Sequence, residues 1–149
     1  MKRRPLLPPT YLLICLVSMV ALHLLCPVKK LVWPPYTYFG ALLIAAGLVV
    51  SIWANHLFDK AKTTVQPFEQ SSRLIIRGPY RFSRHPMYLG LVVLLIGVVL
   101  LLGTVTPVVP VVAFVWVITK KFVVVEERAL EQTFGDDYLA YKKRVRCWI

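Results

Sequence analysis

The chain has 149 residues, 58% of them hydrophobic, and a formal net charge of +11 from 18 Lys/Arg against 7 Asp/Glu. Soluble domains average about 45–50% apolar residues. The excess here is gathered in long runs, which argues against a water-soluble globule and for one small multi-span membrane domain. Basic residues flank these runs and cover no single face, which speaks against nucleic acid as a partner.

Met1-Lys-Arg-Arg leads into a first apolar run, about residues 11–27, with no small-residue cleavage site after it, so a retained span is expected. Lys29, Lys30 and Trp33-Pro34-Pro35 make a short loop. A second span is expected over residues 38–58, followed by a polar loop over 59–86. A third apolar helix is expected over 87–103, a tight uncharged turn at Thr104–Pro107, and a fourth over 108–125. The predicted fold is all-α and polytopic, with about four transmembrane helices. The last two form a tight hairpin, and the residues 126–149 form a cytoplasmic tail with an amphipathic helix.

Charge placement sets the sidedness. Of the 18 Lys/Arg, only Lys29 and Lys30 fall on one side of this four-span layout; the other 16 fall on the side of both termini. Both termini are therefore expected in the cytoplasm. Gly40 and Gly47 are seven residues apart, as are Gly90 and Gly97, so each pair lies near one helical face and invites close backbone packing. In the tail, Gly135 suits a helix C-cap and Asp136 or Asp137 the next N-cap. Phe134, Tyr138, Tyr141, Val145 and Trp148 recur at helical spacing as one apolar stripe.

The segment Arg77-Gly-Pro-Tyr-Arg-Phe-Ser-Arg-His-Pro-Met-Tyr-Leu-Gly90 carries the strongest chemical signal. Pro86 suits the first helical position and puts His85 at the N-cap. The free N–H groups of that turn, with Arg81 and Arg84 nearby, suit a carboxylate or phosphate. Tyr80 and Tyr88 can pack on a flat ring. The plain alternative is arginines meeting lipid headgroups and tyrosines in an interfacial belt. Glu126 and Glu127 adjoin the apolar Phe122–Val125, and neither has a basic residue at helical ion-pair spacing. Adjacent helical residues point about 100° apart, so one inward carboxylate is expected from the two.

Other chemistries find no support. His23, His56 and His85 sit in separate segments, and Cys15, Cys26 and Cys147 form no CxxC pair, so no metal is expected. GxSxG, P-loop and GxGxxG patterns are absent.

The Gly78–Gly90 segment, then Glu126-Glu-Arg-Ala-Leu130, then Phe134-Gly-Asp-Asp-Tyr-Leu-Ala-Tyr-Lys-Lys-Arg-Val145 together resemble the isoprenylcysteine carboxyl methyltransferase family, including its short bacterial members, and the related phospholipid methyltransferases. The resemblance covers about Thr63 to the C-terminus. It implies S-adenosyl-L-methionine as methyl donor, bound between the last helices and their loops. Cofactor contacts are implied for His85, Pro86, Met87 and Tyr88, for Tyr80, for Glu126 with Glu127, and for Leu74 and Ile75, with Gln66 near a further one. No catalytic residue is assigned; His85 and Glu126 are the candidates for a positioning role in the transfer.

Two departures bear on the acceptor. Phe122 stands where the eukaryotic enzymes place a substrate arginine, and Val145-Arg146 stands where they have Val-Pro. Lys120 or Lys121 is the candidate replacement charge for substrate. The expected partners are the lipid bilayer and a lipophilic or lipidated acceptor, such as a prenylcysteine carboxylate, in a multi-pass bacterial inner-membrane protein. A phospholipid N-methyltransferase, an NADPH-dependent membrane reductase and a non-enzymatic scaffold holding anionic lipid stand as alternatives.

Overall fold

The structure, a computed structural model, describes residues 7–60 and 74–149. Gln66 and most of the expected polar loop lie outside the described residues. Six α-helices follow in chain order: α1 (Pro8–Leu25), α2 (Phe39–Lys60), α3 (Pro86–Leu102), α4 (Val108–Ile118), α5 (Val124–Phe134) and α6 (Asp136–Arg144). No strand occurs among the described residues. A five-residue π turn, Thr119–Val123, joins α4 to α5 without a break, so the last apolar helix runs from Val108 to Phe134.

Three helices are long and apolar enough to cross a bilayer: Pro8–Leu25, Tyr36–Phe58 and Val108–Phe134. Their outer faces are apolar and exposed, with Leu13 62%, Ile52 66% and Trp116 65% open. Such a belt is stable only where lipid covers it, and the chain is an integral membrane protein. At 17 residues α3 falls below full-span length; at 1.5 Å per residue it reaches roughly 26 Å. It is the inner helix of the bundle. Leu94, Leu95 and Val99 join Met19 of α1 and Val111, Phe114 and Ile118 of α4 in one buried core.

The glycines explain how α3 docks. Its principal partner is α2. A Cβ on Gly90 would sit 2.6 Å from the Gly47 carbonyl oxygen, and one on Gly97 the same distance from that of Gly40. The two pairs sit face to face along the antiparallel contact, and the backbones touch because neither carries a side chain. The hairpin of α3 and α4 is present, closed by left-handed Gly103, yet the tighter contact of α3 is with α2.

The bundle has two unlike ends. At one, the loop after α1 pairs with the α3–α4 turn: Leu31 N–H donates to the Gly103 carbonyl at 2.7 Å and Val105 N–H to that of Lys29 at 3.1 Å. His23 Nδ1 lies 2.9 Å from Thr104 Oγ1 there. Lys29 and Lys30 belong to this end. The Gly78–Arg81 turn, the start of α3, α5 and α6 gather at the other.

Two tail details depart from the sequence expectation. Gly135, at φ 51°, is both the C-cap of α5 and the N-cap of α6, while Asp136 and Asp137 sit in the first turn, where their charge meets the helix dipole. The apolar stripe also outruns its helix. α6 stops at Arg144, Val145 turns extended, and the chain folds back, with the Arg146 carbonyl accepting from Arg84 N–H at 3.0 Å. Tertiary hydrogen bonds end the helix earlier than periodicity predicts.

Gly47→Ala and Gly90→Ala should each lower stability by about 1–3 kcal/mol, because the added methyl forces the backbones apart. Thermal unfolding in detergent measures this; an unchanged Tm for both would contradict the contact.

Candidate functional site

His85 is the centre of the site. It caps α3 through Pro86 at the first helical position, and its own N–H donates to Ser83 Oγ at 3.2 Å. The imidazole is 5% exposed. Nδ1 lies 3.4 Å from Glu126 Oε2, and Nε2 lies 3.4 Å from Glu127 Oε1. Both carboxylates therefore face inward, where sequence reasoning expects one. The 100° between neighbouring helical positions is spanned by a single ring wedged between the two side chains, one acid to each nitrogen.

Each acid has further partners. Tyr88, one turn into α3, donates its hydroxyl to Glu126 Oε1 at 2.5 Å, and its ring stacks on His85 with centroids 5.9 Å apart. Arg84 Nη2 sits 3.0 Å from Glu127 Oε1, and Lys142 of α6 reaches both Glu127, at 3.4 Å, and Glu131, at 2.5 Å. The basic partners missing at helical spacing come from other elements. Arg84 is largely buried, and its Nε and Nη1 have no hydrogen-bond partner, nor does the buried Tyr138 hydroxyl. Buried donors left unpaired are costly.

Protonation follows from the same contacts. Burial lowers the His85 pKa, but the hydrogen bonds and charges of Glu126 and Glu127 outweigh it and hold the imidazole above its usual 6.5. The shift favours the protonated ring between the two acids. Burial first, and the Glu126 charge second, keep the Tyr80 phenol protonated. The Tyr80 ring packs edge-on against Phe58 at 5.5 Å, and its carbonyl accepts from the Tyr141 hydroxyl at 2.6 Å.

Of the residues singled out in the sequence, His85, Tyr88, Glu126 and Glu127 form one bonded cluster, with Tyr80 beside it. Pro86 is buried, and the Met87 carbonyl accepts from Ser51 Oγ at 3.1 Å, tying the site to α2. Leu74 and Ile75 are half-buried in the coil entering the Gly78 turn. Lys120 and Lys121 lie on the exposed side of the π turn; Lys121 Nζ reaches the Tyr11 hydroxyl at 3.0 Å. Phe122 is 2% exposed, and its ring contacts both Tyr11 and Tyr88.

Sequence reasoning misses two members. Lys142 and the returning Cys147 approach from the tail, and no local pattern signals them. The Cys147 carbonyl accepts from Ser83 Oγ at 3.1 Å. Ligand atoms of His85, Glu127 and Cys147 converge within 4.8 Å of one another, as a metal site would require. Arg84, however, places a fixed positive charge on that same glutamate oxygen, which opposes a cation.

Comparison with known proteins gives the family and the fold. The chain belongs to the phospholipid methyltransferase family, whose sequence pattern matches residues 36–137, and it is like the isoprenylcysteine carboxyl methyltransferases. It is 30% identical over 124 residues to a probable protein-S-isoprenylcysteine O-methyltransferase of Oryza sativa, covering 82% of this chain and 64% of the relative. Against the protein-S-isoprenylcysteine O-methyltransferase of Saccharomyces cerevisiae it is 31% identical over 111 residues, covering 73% and 46%. The chain thus spans about half to two thirds of the length of these curated relatives. The fold matches that of the eukaryotic intramembrane Ras methyltransferase ICMT with a TM-score of 0.69 at 22% identity, covering 95% of this chain and 51% of that one.

Two outcomes check the cluster. Glu127→Gln leaves Arg84, His85 and Lys142 facing a neutral amide and should cost roughly 3 kcal/mol, read as a fall in Tm; a shift under a degree would contradict the pairing. The raised His85 pKa gives stability that is complete below pH 6.5 and fades as pH climbs through the native value. The wild type should therefore lose more Tm than His85→Gln between pH 6.5 and alkaline pH. Parallel profiles would contradict the ion cluster.

Proposed function

We propose that the chain transfers a methyl group from S-adenosyl-L-methionine to a lipophilic, membrane-associated carboxylate such as that of a prenylcysteine. The carrying observation is that the two motifs shared with the family, around His85 and around Glu126, meet in one bonded cluster at the mouth of an apolar bundle.

The donor set suits this cofactor. Glu126 and Glu127 offer negative charge to an ammonium or sulfonium group. The unpaired Nε and Nη1 of Arg84 suit its carboxylate. Tyr80 and Tyr88 supply aromatic surface. When bound, the cofactor supplies an electrophilic methyl; a carboxylate oxygen gives the electron pair for the new C–O bond, and the C–S pair stays on sulfur as a thioether. No proton moves, so no base is needed, and here none is free. Glu126 and Glu127 shift His85 toward its protonated form, and both glutamates already have charged or hydroxyl partners. That favours a carboxylate over an amine, which must first be deprotonated. The residues position the reactants and exclude water.

Phe122 offers no charge to an acceptor carboxylate. Lys121, one residue earlier, carries its ammonium to Tyr11, whose ring packs on Phe122. We assign it the role of receiving the carboxylate, and Lys120 none. The site end of the bundle, with the weight of basic residues, faces the cytoplasm of a bacterial inner membrane.

Calorimetry in detergent should show binding of S-adenosyl-L-methionine, weakened at least tenfold in His85→Ala and Glu126→Ala, in line with the loss of charged hydrogen bonds. Labelled methyl groups should enter base-labile ester; Lys121→Ala should raise the acceptor KM while Lys120→Ala does not. Absence of cofactor binding by folded wild type sinks the proposal. Label in base-stable phospholipid would instead support amine methylation.

A further inference from the structure

A cleft lined by arginines and apolar side chains lies outside the His85 cluster. An open cleft of about 380 Å³ is lined by Ile76, Arg77, Arg81, Tyr141, Arg144 and Val145. None of these is among the candidate cofactor residues. Two arginines come from the Gly78–Arg81 turn and its approach, and the third from the end of α6. The fold, and no local run of sequence, gathers them. Among the described residues, none of the three makes an ion pair with a carboxylate. Arg144 Nε makes only a long bond, 3.3 Å, to the Ala140 carbonyl of its own helix.

The walls are fixed and the floor is apolar. Tyr141 is 5% exposed, and its hydroxyl is spent on the Tyr80 carbonyl, which locks α6 to the turn. Burial pushes its phenol up to about 12, so it adds no negative charge. Ile76 and Val145 line the cleft beside the guanidinium groups, and Ile76 is 44% exposed. Phe82, next to Arg81, is 78% exposed. Exposed apolar side chains alternate with arginines that have no ion pair among the described residues, at the end of the bundle where the apolar helices stop, and this matches the headgroup layer of a bilayer.

We propose that this cleft binds the phosphate of an anionic phospholipid headgroup, with Arg77, Arg81 and Arg144 as its donors and the acyl chains running along Ile76 and Phe82 into the membrane. Three like charges held around one cavity repel one another, and a phosphate that accepts from planar guanidinium forks relieves that repulsion. The bound lipid would pin the Gly78–Arg81 turn against α6, the two elements that flank the His85 cluster. The proposal does not rest on the cofactor assignment.

Native mass spectrometry of the full chain in detergent, titrated with phosphatidylglycerol or with phosphatidylcholine, tests it. The wild type should retain one phosphatidylglycerol preferentially. Each single Arg→Gln change at 77, 81 or 144 should weaken retention about fivefold, and the triple change should abolish the preference, with circular dichroism confirming the helical fold. Arg→Lys variants, which keep charge but lose the fork, should fall between. Unaltered phosphatidylglycerol preference in a folded triple variant overturns the proposal. So does competition by inorganic phosphate at the lipid's own concentration, which would make the ligand a soluble anion. Cofactor calorimetry on the same variants reads the other site separately, so failure of either assignment leaves the other standing.

Discussion

One buried imidazole between two carboxylates organises this protein. His85 ends the loop before α3, and Glu126 and Glu127 begin the polar half of the last long helix. Their contact joins the Gly78–Gly90 segment to α5 where the apolar stretch of the last long helix ends. Charges there are expensive unless paired. The pairing is complete on the protein side only in part: His85, Lys142 and one edge of Arg84 satisfy the acids, while two buried N–H groups of Arg84 stay unpaired. A cluster balanced in this way ties α3, α5 and α6 together at one end of the bundle.

The apolar bundle serves that cluster. Face-to-face glycines press α3 against α2, and Ser51 of α2 bonds the Met87 carbonyl in the first turn of α3. The position of His85 is thus set by packing along the whole helix contact. On the other side, the π turn at Thr119–Val123 carries the apolar helix into α5 with Phe122 and Val123 buried. π turns of this kind recur at functional sites because they re-aim a helix face. Here two residues separate the turn from the glutamate pair, and the turn puts Lys121 beside Tyr11. α6 and the returning tail then close the site from outside, through Tyr141 on Tyr80 and Arg146 on Arg84.

Much of this is written locally in the sequence. The apolar runs mark the helices, the seven-residue glycine spacing marks the α2–α3 seam, and Pro86 marks the start of α3 with His85 at its cap. The Gly-Pro-Tyr, His-Pro-Met-Tyr and Glu-Glu motifs mark the cluster. What is not legible depends on contacts between distant segments. Helical geometry alone points one glutamate inward; the ring that accepts both comes from another element. Periodicity carries the tail helix past Arg144; hydrogen bonds from Ser83 and Arg84 stop it. Arg77, Arg81 and Arg144 look like separate surface charges until α6 folds over the turn and makes them one cleft.

The central claim is energetic: His85 and Glu126 stabilise each other across the gap between α3 and α5. A double-mutant cycle with His85→Gln and Glu126→Gln, read by unfolding in detergent at pH 6, measures that coupling directly. The account predicts a coupling of about 1–3 kcal/mol. Additive single effects, with a coupling indistinguishable from zero, would contradict it.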